Sequence, residues 1–299
     1  MEDARLYIQF GPVKAMRFLV LISAVVLLLL IEKPAVEAAP VFIDNFRIDK
    51  NGGLLFEDTF SDGVPPPSAP NLANGNATSY FVSGTLDEAD GKARLDTTGA
   101  EIVPGVGGGF FFLERARLNT NIDPTNLTIG LKNDDTFSVT GIFDLTVPTL
   151  NREAYGVELT DRTVENPGDD ILRLQVRRGV DGVSRISFRQ VDLVANIVTP
   201  IANTTLDPLH DQVALRLSRL SATDDAIAAS FFYLDGGVGG PVTTFAATTD
   251  IFHDENFTRA TFQFESPVPE PSDSLLLISG FLSLLVMVKF KSWKQTTLS

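Results

Sequence analysis

Residues 137–147 read Phe137-Ser-Val-Thr-Gly-Ile-Phe-Asp-Leu-Thr-Val147, and the fold class follows from their alternation. Phe137, Val139, Phe143, Leu145 and Val147 fall on one side of an extended chain; Ser138, Thr140, Asp144 and Thr146 fall on the other, with Ile142 as the exception. Successive side chains of a strand point to opposite faces, so a period of two marks a half-buried β-strand. Downstream the pattern recurs. Tyr155, Val157 and Leu159 oppose Glu158 and Thr160, and Leu172, Leu174 and Val176 oppose Arg173, Gln175 and Arg177. Ile186 and Phe188 oppose Arg185, Ser187 and Arg189, and Val213, Leu215 and Leu217 oppose Arg216 and Ser218. Ile227, Ala229, Phe231 and Tyr233 then lead into Asp235-Gly-Gly237. Each pattern predicts one buried and one wetted face, as antiparallel sheets allow. Gly179-Val-Asp-Gly182 and Asp235-Gly236 are hairpin turn sequences.

No amphipathic helix of useful length interrupts the strands, and no repeat suggests a solenoid or propeller. Residues 61–79, with Pro65-Pro-Pro67 and Pro70, read as a loop. About a dozen strands in one stretch predict an all-β, antiparallel two-sheet β-sandwich.

The 299 residues are 44% apolar and 21% charged, enough apolar content to bury a core. Formal net charge is −14; residues 1–39 sum to zero and residues 272–299 to +2, so residues 40–271 carry −16. Such a surface repels nucleic acid and anionic lipid, and suits divalent cations or neutral sugars. With no cysteine, disulfides, thiol catalysis and zinc–thiolate sites are all excluded.

Both ends read as addresses. Lys14 and Arg17 precede the apolar run Phe18–Ile31, and small residues follow at Ala35, Ala38 and Ala39. That order is a secretory signal peptide cut after Ala38 or Ala39, with a retained anchor as the alternative. At the C-terminus, Pro267-Val-Pro-Glu-Pro-Ser272 precedes an apolar run from Leu275 to Val288 and the basic stretch Lys289-Phe-Lys-Ser-Trp-Lys294. Alternate prolines hold that spacer extended and open to a protease. The lysines belong on the cytoplasmic side of a short membrane helix. The expected organisation is a signal peptide (1–39), an exported β-sandwich (40–265), a spacer (266–274), a transmembrane helix (275–290) and a basic cytoplasmic tail (291–299).

Val268-Pro269-Glu270-Pro271 before a short apolar helix and a basic end resembles the PEP-CTERM sorting signal of Gram-negative bacteria. The resemblance implies processing by an exosortase-type membrane protease. It also implies transient anchoring in the inner membrane and release to the cell envelope or the extracellular polymer matrix. A plain C-terminal anchor is the alternative. Within the exported stretch, the strand pattern resembles a concanavalin A-like, laminin-G-like jelly roll. The likeness rests on an opening Phe42–Phe46 and Leu55–Phe60, a paired Ser79–Ser83 and Lys92–Asp96, a late Val213–Leu217 followed by Ser230–Asp235, and a closing Ala260–Phe264. That fold hosts lectins, glycanases and inert adhesive modules.

A glycanase needs two carboxylates across a sugar bond, and the spacings that place them on one strand, Glu-x-Asp-x-Glu among them, are absent. Glu158 and Asp161 fall on opposite faces, and Asp87-Glu-Ala-Asp-Gly91 reads as a solvated turn between strands. His210 and His253 sit in loop sequences without a nucleophile elbow or zinc spacing. Gly105-Val-Gly-Gly-Gly109 lacks the Lys-Ser/Thr ending of a phosphate loop. A structural calcium is the metal the sequence offers, on Glu57, Asp58 and Asp62, on Asp134 and Asp135, or on Asp169 and Asp170. Solvated loop charge is the plainer reading of all three sets. For sugar stacking, Tyr80, Tyr155 and Tyr233 are better placed than the 22 phenylalanines, which belong mostly to the core. The expectation is a non-enzymatic surface protein that binds or structures extracellular polysaccharide. A glycan-cleaving enzyme with carboxylates from distant strands and a purely structural adhesion protein are the alternatives.

Overall fold

At Asn51-Gly52 the chain reverses on itself, with φ of 52° and 78°. A two-residue turn of type I′ needs positive φ at both positions, which Asn and Gly adopt at little cost. It joins β1 (Val41–Lys50) to β2 (Gly53–Asp58) as an antiparallel pair. Lys50 Nζ reaches Asp135 at 2.7 Å, and Asn51 Nδ2 donates to the same carboxylate at 2.7 Å, clasping the hairpin to the chain ahead of the next core strand. This computed structural model describes residues 38–267 apart from 64–69, 74, 76–78, 98–99, 105–111, 122–130, 132–133, 162–169, 193–194, 224–225 and 246–257.

The strands that follow are β3 (Ser79–Ser83), β4 (Thr85–Ala89), β5 (Lys92–Asp96), β6 (Glu101–Pro104), β7 (Phe112–Asn121) and β8 (Phe137–Asp144). Next come β9 (Ala154–Asp161), β10 (Asp170–Arg178), β11 (Ser184–Asp192), β12 (Ile197–Thr205) and β13 (Gln212–Arg219). Last are β14 (Ala228–Asp235), β15 (Val238–Gly239), β16 (Thr243–Phe245) and β17 (Thr258–Pro267). They form two antiparallel sheets. One has nine strands in the order β15-β14-β13-β8-β1-β5-β4, with β16 on β14 and β2 on β1. The other has eight in the order β12-β11-β10-β9-β17-β7-β3, with β6 on β7. Their apolar faces meet in one core: Val139, Phe143, Val213, Leu215 and Leu217 come from the first sheet, and Val157, Leu159, Leu172, Leu174, Val176, Phe188 and Phe264 from the second. Phe143 and Tyr155 touch across it with ring centres 5.5 Å apart.

The alternation predicts these inward residues correctly, with three departures. Ser79–Ser83 and Lys92–Asp96 are not partners: β3 pairs with β7 in one sheet, and β5 pairs with β1 and β4 in the other. The chain changes sheets at Gly84, where φ is 89° and a Cβ would stand 2.6 Å from the Asp96 carbonyl oxygen and 2.7 Å from Ala116 Cβ. Only glycine fits that crossing. Asp87 and Glu88 belong to β4, and the turn is confined to Asp90-Gly91, both at positive φ. The third departure concerns the wetted faces. The outward side of β9, β10, β11 and β17 is buried at its centre as thoroughly as the core: Glu158, Arg173, Gln175, Gln263 and Glu265 are each at most 4% exposed. Among the described residues no helix is long and apolar enough to cross a membrane; both apolar terminal segments, including Val268, Pro269, Glu270 and Pro271, lie outside them. Ala38 and Ala39, the expected cut, open the described chain, with Ala38 packed against the core.

Candidate functional site

The register builds a polar layer on the outer face of the eight-stranded sheet. Arg173 stands opposite Glu158 and Arg189, Gln175 opposite Gly156 and Ser187, and Arg177 opposite Ala154 and Arg185. From the other side of β9, Gln263 faces Gly156 and Glu265 faces Ala154, and Arg115 of β7 faces Glu265. Alternation puts every one of these side chains on the same face.

Two carboxylates and two guanidinium groups form a chain of ion pairs at its centre. Arg173 Nε donates to Glu158 Oε2 at 2.8 Å, and Arg173 Nη1 lies 3.3 Å from Glu265 Oε1. Arg115 Nε donates to the same oxygen of Glu265 at 2.7 Å. Thr160 Oγ1 donates to Glu158 Oε1 at 3.1 Å. Burial raises the Glu265 carboxyl, but the guanidinium groups of Arg173, Arg115 and Arg189 outweigh it and hold the acid at about 2. Burial weakens the charge on Arg173, yet Glu265 and Glu158 reverse this and raise its pKa. Arg189 lacks such a partner. It donates through Nη2 to Gln175 Oε1, and burial together with the nearby charges of Arg177 and Arg173 pulls it down to about 9. The Arg177 guanidinium is lowered in the same way, by burial first.

Hydrogen-bond capacity in this layer is left unused. Arg173 Nη2, Gln175 Nε2, Arg177 Nε, Arg189 Nε and both amide atoms of Gln263 have no partner. Gln175 and Gln263 are wholly buried. Buried polar groups are ordinarily satisfied, because each orphan costs about 1–3 kcal/mol. Between the two glutamines the sheet offers only Gly156, where a Cβ would stand 2.2 Å from the Leu174 carbonyl oxygen. The close approach of β10 therefore requires glycine.

The residues singled out from sequence fare differently. Glu57, Asp58 and Asp62 do converge on one open cleft of about 300 Å³, beside Leu54, Phe56 and Asn71. Asp58 Oδ1, however, accepts from Phe60 N at 2.8 Å, holding a bulky residue at a φ of 49°. Glu88 is raised by burial, then by Asp62 and Asp58, and shares a hydrogen bond with Asp62. Among the described residues no three His, Asp or Glu side chains come together as a metal-binding group. Asp135 clasps Lys50 and Asn51, Asp134 is exposed, and Asp169 and the Asp170 side chain lie outside the described residues, as does His253. His210 Nδ1 lies 2.8 Å from Asp235 Oδ2, and its ring stacks on Tyr233 at 4.3 Å. Tyr155 is a core residue whose hydroxyl accepts from Thr146 N at 3.1 Å, so it is not a stacking platform; the Tyr80 side chain lies outside the described residues.

In the sequence, Arg173, Gln175 and Arg189 read as the wetted half of an ordinary alternation, and Arg115, Gln263 and Glu265 drew no reading at all. A signal was present: β7, β9, β10, β11 and β17 contain Arg, Gln and Glu but no Lys. Lysine is the strongly hydrated cation of wet faces, whereas arginine with its planar fork tolerates burial against carboxylates.

No family model matches the chain, and no curated protein matches it. Two solved structures are similar in part. The CBM2 module of the Lactobacillus casei BL23 phage J-1 evolved Dit aligns over 77% of this chain and 90% of its own, at 12% identity and a TM-score of 0.38. The protein of unknown function SO2946 from Shewanella oneidensis MR-1 aligns over 88% and 97%, at 12% identity and a TM-score of 0.32. At these scores neither likeness carries an argument.

Proposed function

We propose that this is an exported, non-enzymatic surface protein that holds extracellular polysaccharide on the outer face of its eight-stranded sheet. Its address is the tail resemblance at Val268, Pro269, Glu270 and Pro271, with an exosortase-type protease as the processing partner and the Gram-negative envelope or matrix as the destination. The fold assigned with it is the concanavalin A-like jelly roll. One observation carries the binding role: a polar layer whose side chains hold unused donors and acceptors and which reaches the surface at the half-buried Arg177. Sugars present dense hydroxyl donors and acceptors, the complement such a layer lacks.

The layer also argues against cleavage. Its two carboxylates come from strands far apart in sequence, as a glycan-cleaving enzyme would need, but both are tied to Arg173. A glycosidase acid must hold a proton near neutral pH, and Glu265 at about 2 does not. The test is retention of the full-length protein on the extracellular polymer of its own host. Retention without release of reducing ends is expected; no retention contradicts the reading.

A further inference from the structure

One line of paired residues crosses the eight-stranded sheet near its end: Glu265 of β17, Ala154 of β9, Arg177 of β10, Arg185 of β11 and Thr205 of β12. Beyond that line lie the close of β17 at Pro267, the connection 145–153, the turn 179–183 and the connection 206–211. The last is tied to the turn after β14: His210 Nδ1 lies 2.8 Å from Asp235 Oδ2, and Gly236 N donates to Asp211 Oδ2 at 2.9 Å. This end carries aliphatic side chains in water. Leu209 is 87% exposed, Val238 74% and Val180 69%, with Val147 and Val183 exposed as well. A lone exposed aliphatic is ordinary, whereas several on the loops of one end mark a contact surface.

Charge at this end differs from that of the chain as a whole, whose −14 repels anionic lipid. Arg152, Arg177, Arg178 and Arg185 stand among the aliphatic loops, each half-buried. Neighbouring acids are engaged within the protein: Asp181 with Arg185 at 2.7 Å, Asp144 with Lys92 at 2.6 Å, and Asp235 with His210. Aliphatic tips among arginines suit a bilayer interface, where apolar side chains sink below the headgroups and guanidinium groups meet phosphate. Chain length selects the same end. Seven residues, 268–274, separate the close of β17 from the apolar run that starts at Leu275. Fully extended they span at most about 25 Å.

We infer that this end of the sandwich rests on the membrane that holds the tail, with Leu209, Val180 and Val238 in the headgroup layer and the arginines on lipid phosphate. The strands then run away from the bilayer, and the outer face of the eight-stranded sheet stays open to the surrounding polymer.

The inference rests on the anchored-tail reading, and the experiment tells the two apart. The chain has no cysteine, so each single-cysteine variant of the full-length protein takes one fluorophore. Leu209→Cys and Val180→Cys probe this end, and Leu220→Cys, just past β13 at the opposite end, is the reference. All three side chains are exposed, so the variants keep the fold. The protein is reconstituted in vesicles of phosphatidylethanolamine and phosphatidylglycerol containing headgroup-nitroxide lipid. Quenching several-fold greater at Leu209→Cys and Val180→Cys than at Leu220→Cys is expected. Equal quenching at all three overturns the inference and leaves the anchor standing. Probes at 209 and 180 that are shielded from aqueous iodide yet unquenched by the lipid mark a protein partner, and overturn it too. Protein that fails to float with the vesicles removes the anchored-tail reading and the inference with it.

Discussion

The outer faces of the two sheets are built from the same alternation and meet opposite fates. On the nine-stranded sheet the outward side chains pair in water's reach: Arg47 with Asp49 at 2.7 Å and Lys92 with Asp144 at 2.6 Å, every partner about a third exposed or more. On the eight-stranded sheet Arg173 pairs with Glu158 at 2.8 Å, and both are almost wholly buried. Burial changes what the same chemistry is worth. Exposed pairs are screened and contribute under about 1 kcal/mol. Removing one member of a buried pair strands a charge and costs about 3–5 kcal/mol. A layer of that kind adds little net stability.

The sharpest contrast comes from removing a guanidinium on each sheet. Arg173→Met, which strips Glu158 and Glu265 of their shared partner, should lower unfolding free energy by about 3–5 kcal/mol in urea titration. Arg47→Met on the opposite sheet should cost under about 1 kcal/mol in the same assay. Equal losses would erase the distinction between the faces. Gly156→Ala comes next, at about 1–3 kcal/mol, because its Cβ meets the Leu174 carbonyl oxygen and β10 must shift.

Acid should expose the same asymmetry. Glu265 has its folded pKa depressed to about 2 from an ordinary 4.5. Its contribution is therefore complete above pH 4.5 and is lost as pH falls toward 2, since the unfolded chain takes up the proton first. Melting temperature should fall across that window, and Glu265→Gln should flatten the fall. A window unchanged in the variant would assign the acid sensitivity elsewhere. The smallest effect is expected from Gln263→Leu. Both amide atoms are buried without partners, so their removal should leave stability within about 1 kcal/mol of the parent or raise it.

The contrast also explains what the sequence made legible. Val139, Phe143, Val157, Leu174, Phe188 and Leu217 announced their burial by period, because one face of every strand must leave water. Sheet membership was not legible, since alternation says which face is inward and nothing about the neighbour. Ser79–Ser83 and Lys92–Asp96 read as a pair until Gly84 sends them to different sheets. Nor was the candidate site, for the same reason. Arg115, Glu158, Arg173 and Glu265 come from four strands spread over 150 residues, and only the register brings them together. Polar residues on an alternating strand carry no mark of a second burial beyond the choice of arginine over lysine.

The central claim is that the outer face of the eight-stranded sheet binds polysaccharide. The affinity of full-length Gln263→Leu for the extracellular polymer of its own host, set beside that of the parent, tests it most directly. Affinity several-fold weaker in a variant that melts no lower than the parent is the predicted result. Undiminished affinity in a variant that unfolds more easily would mean that the layer is scaffold alone.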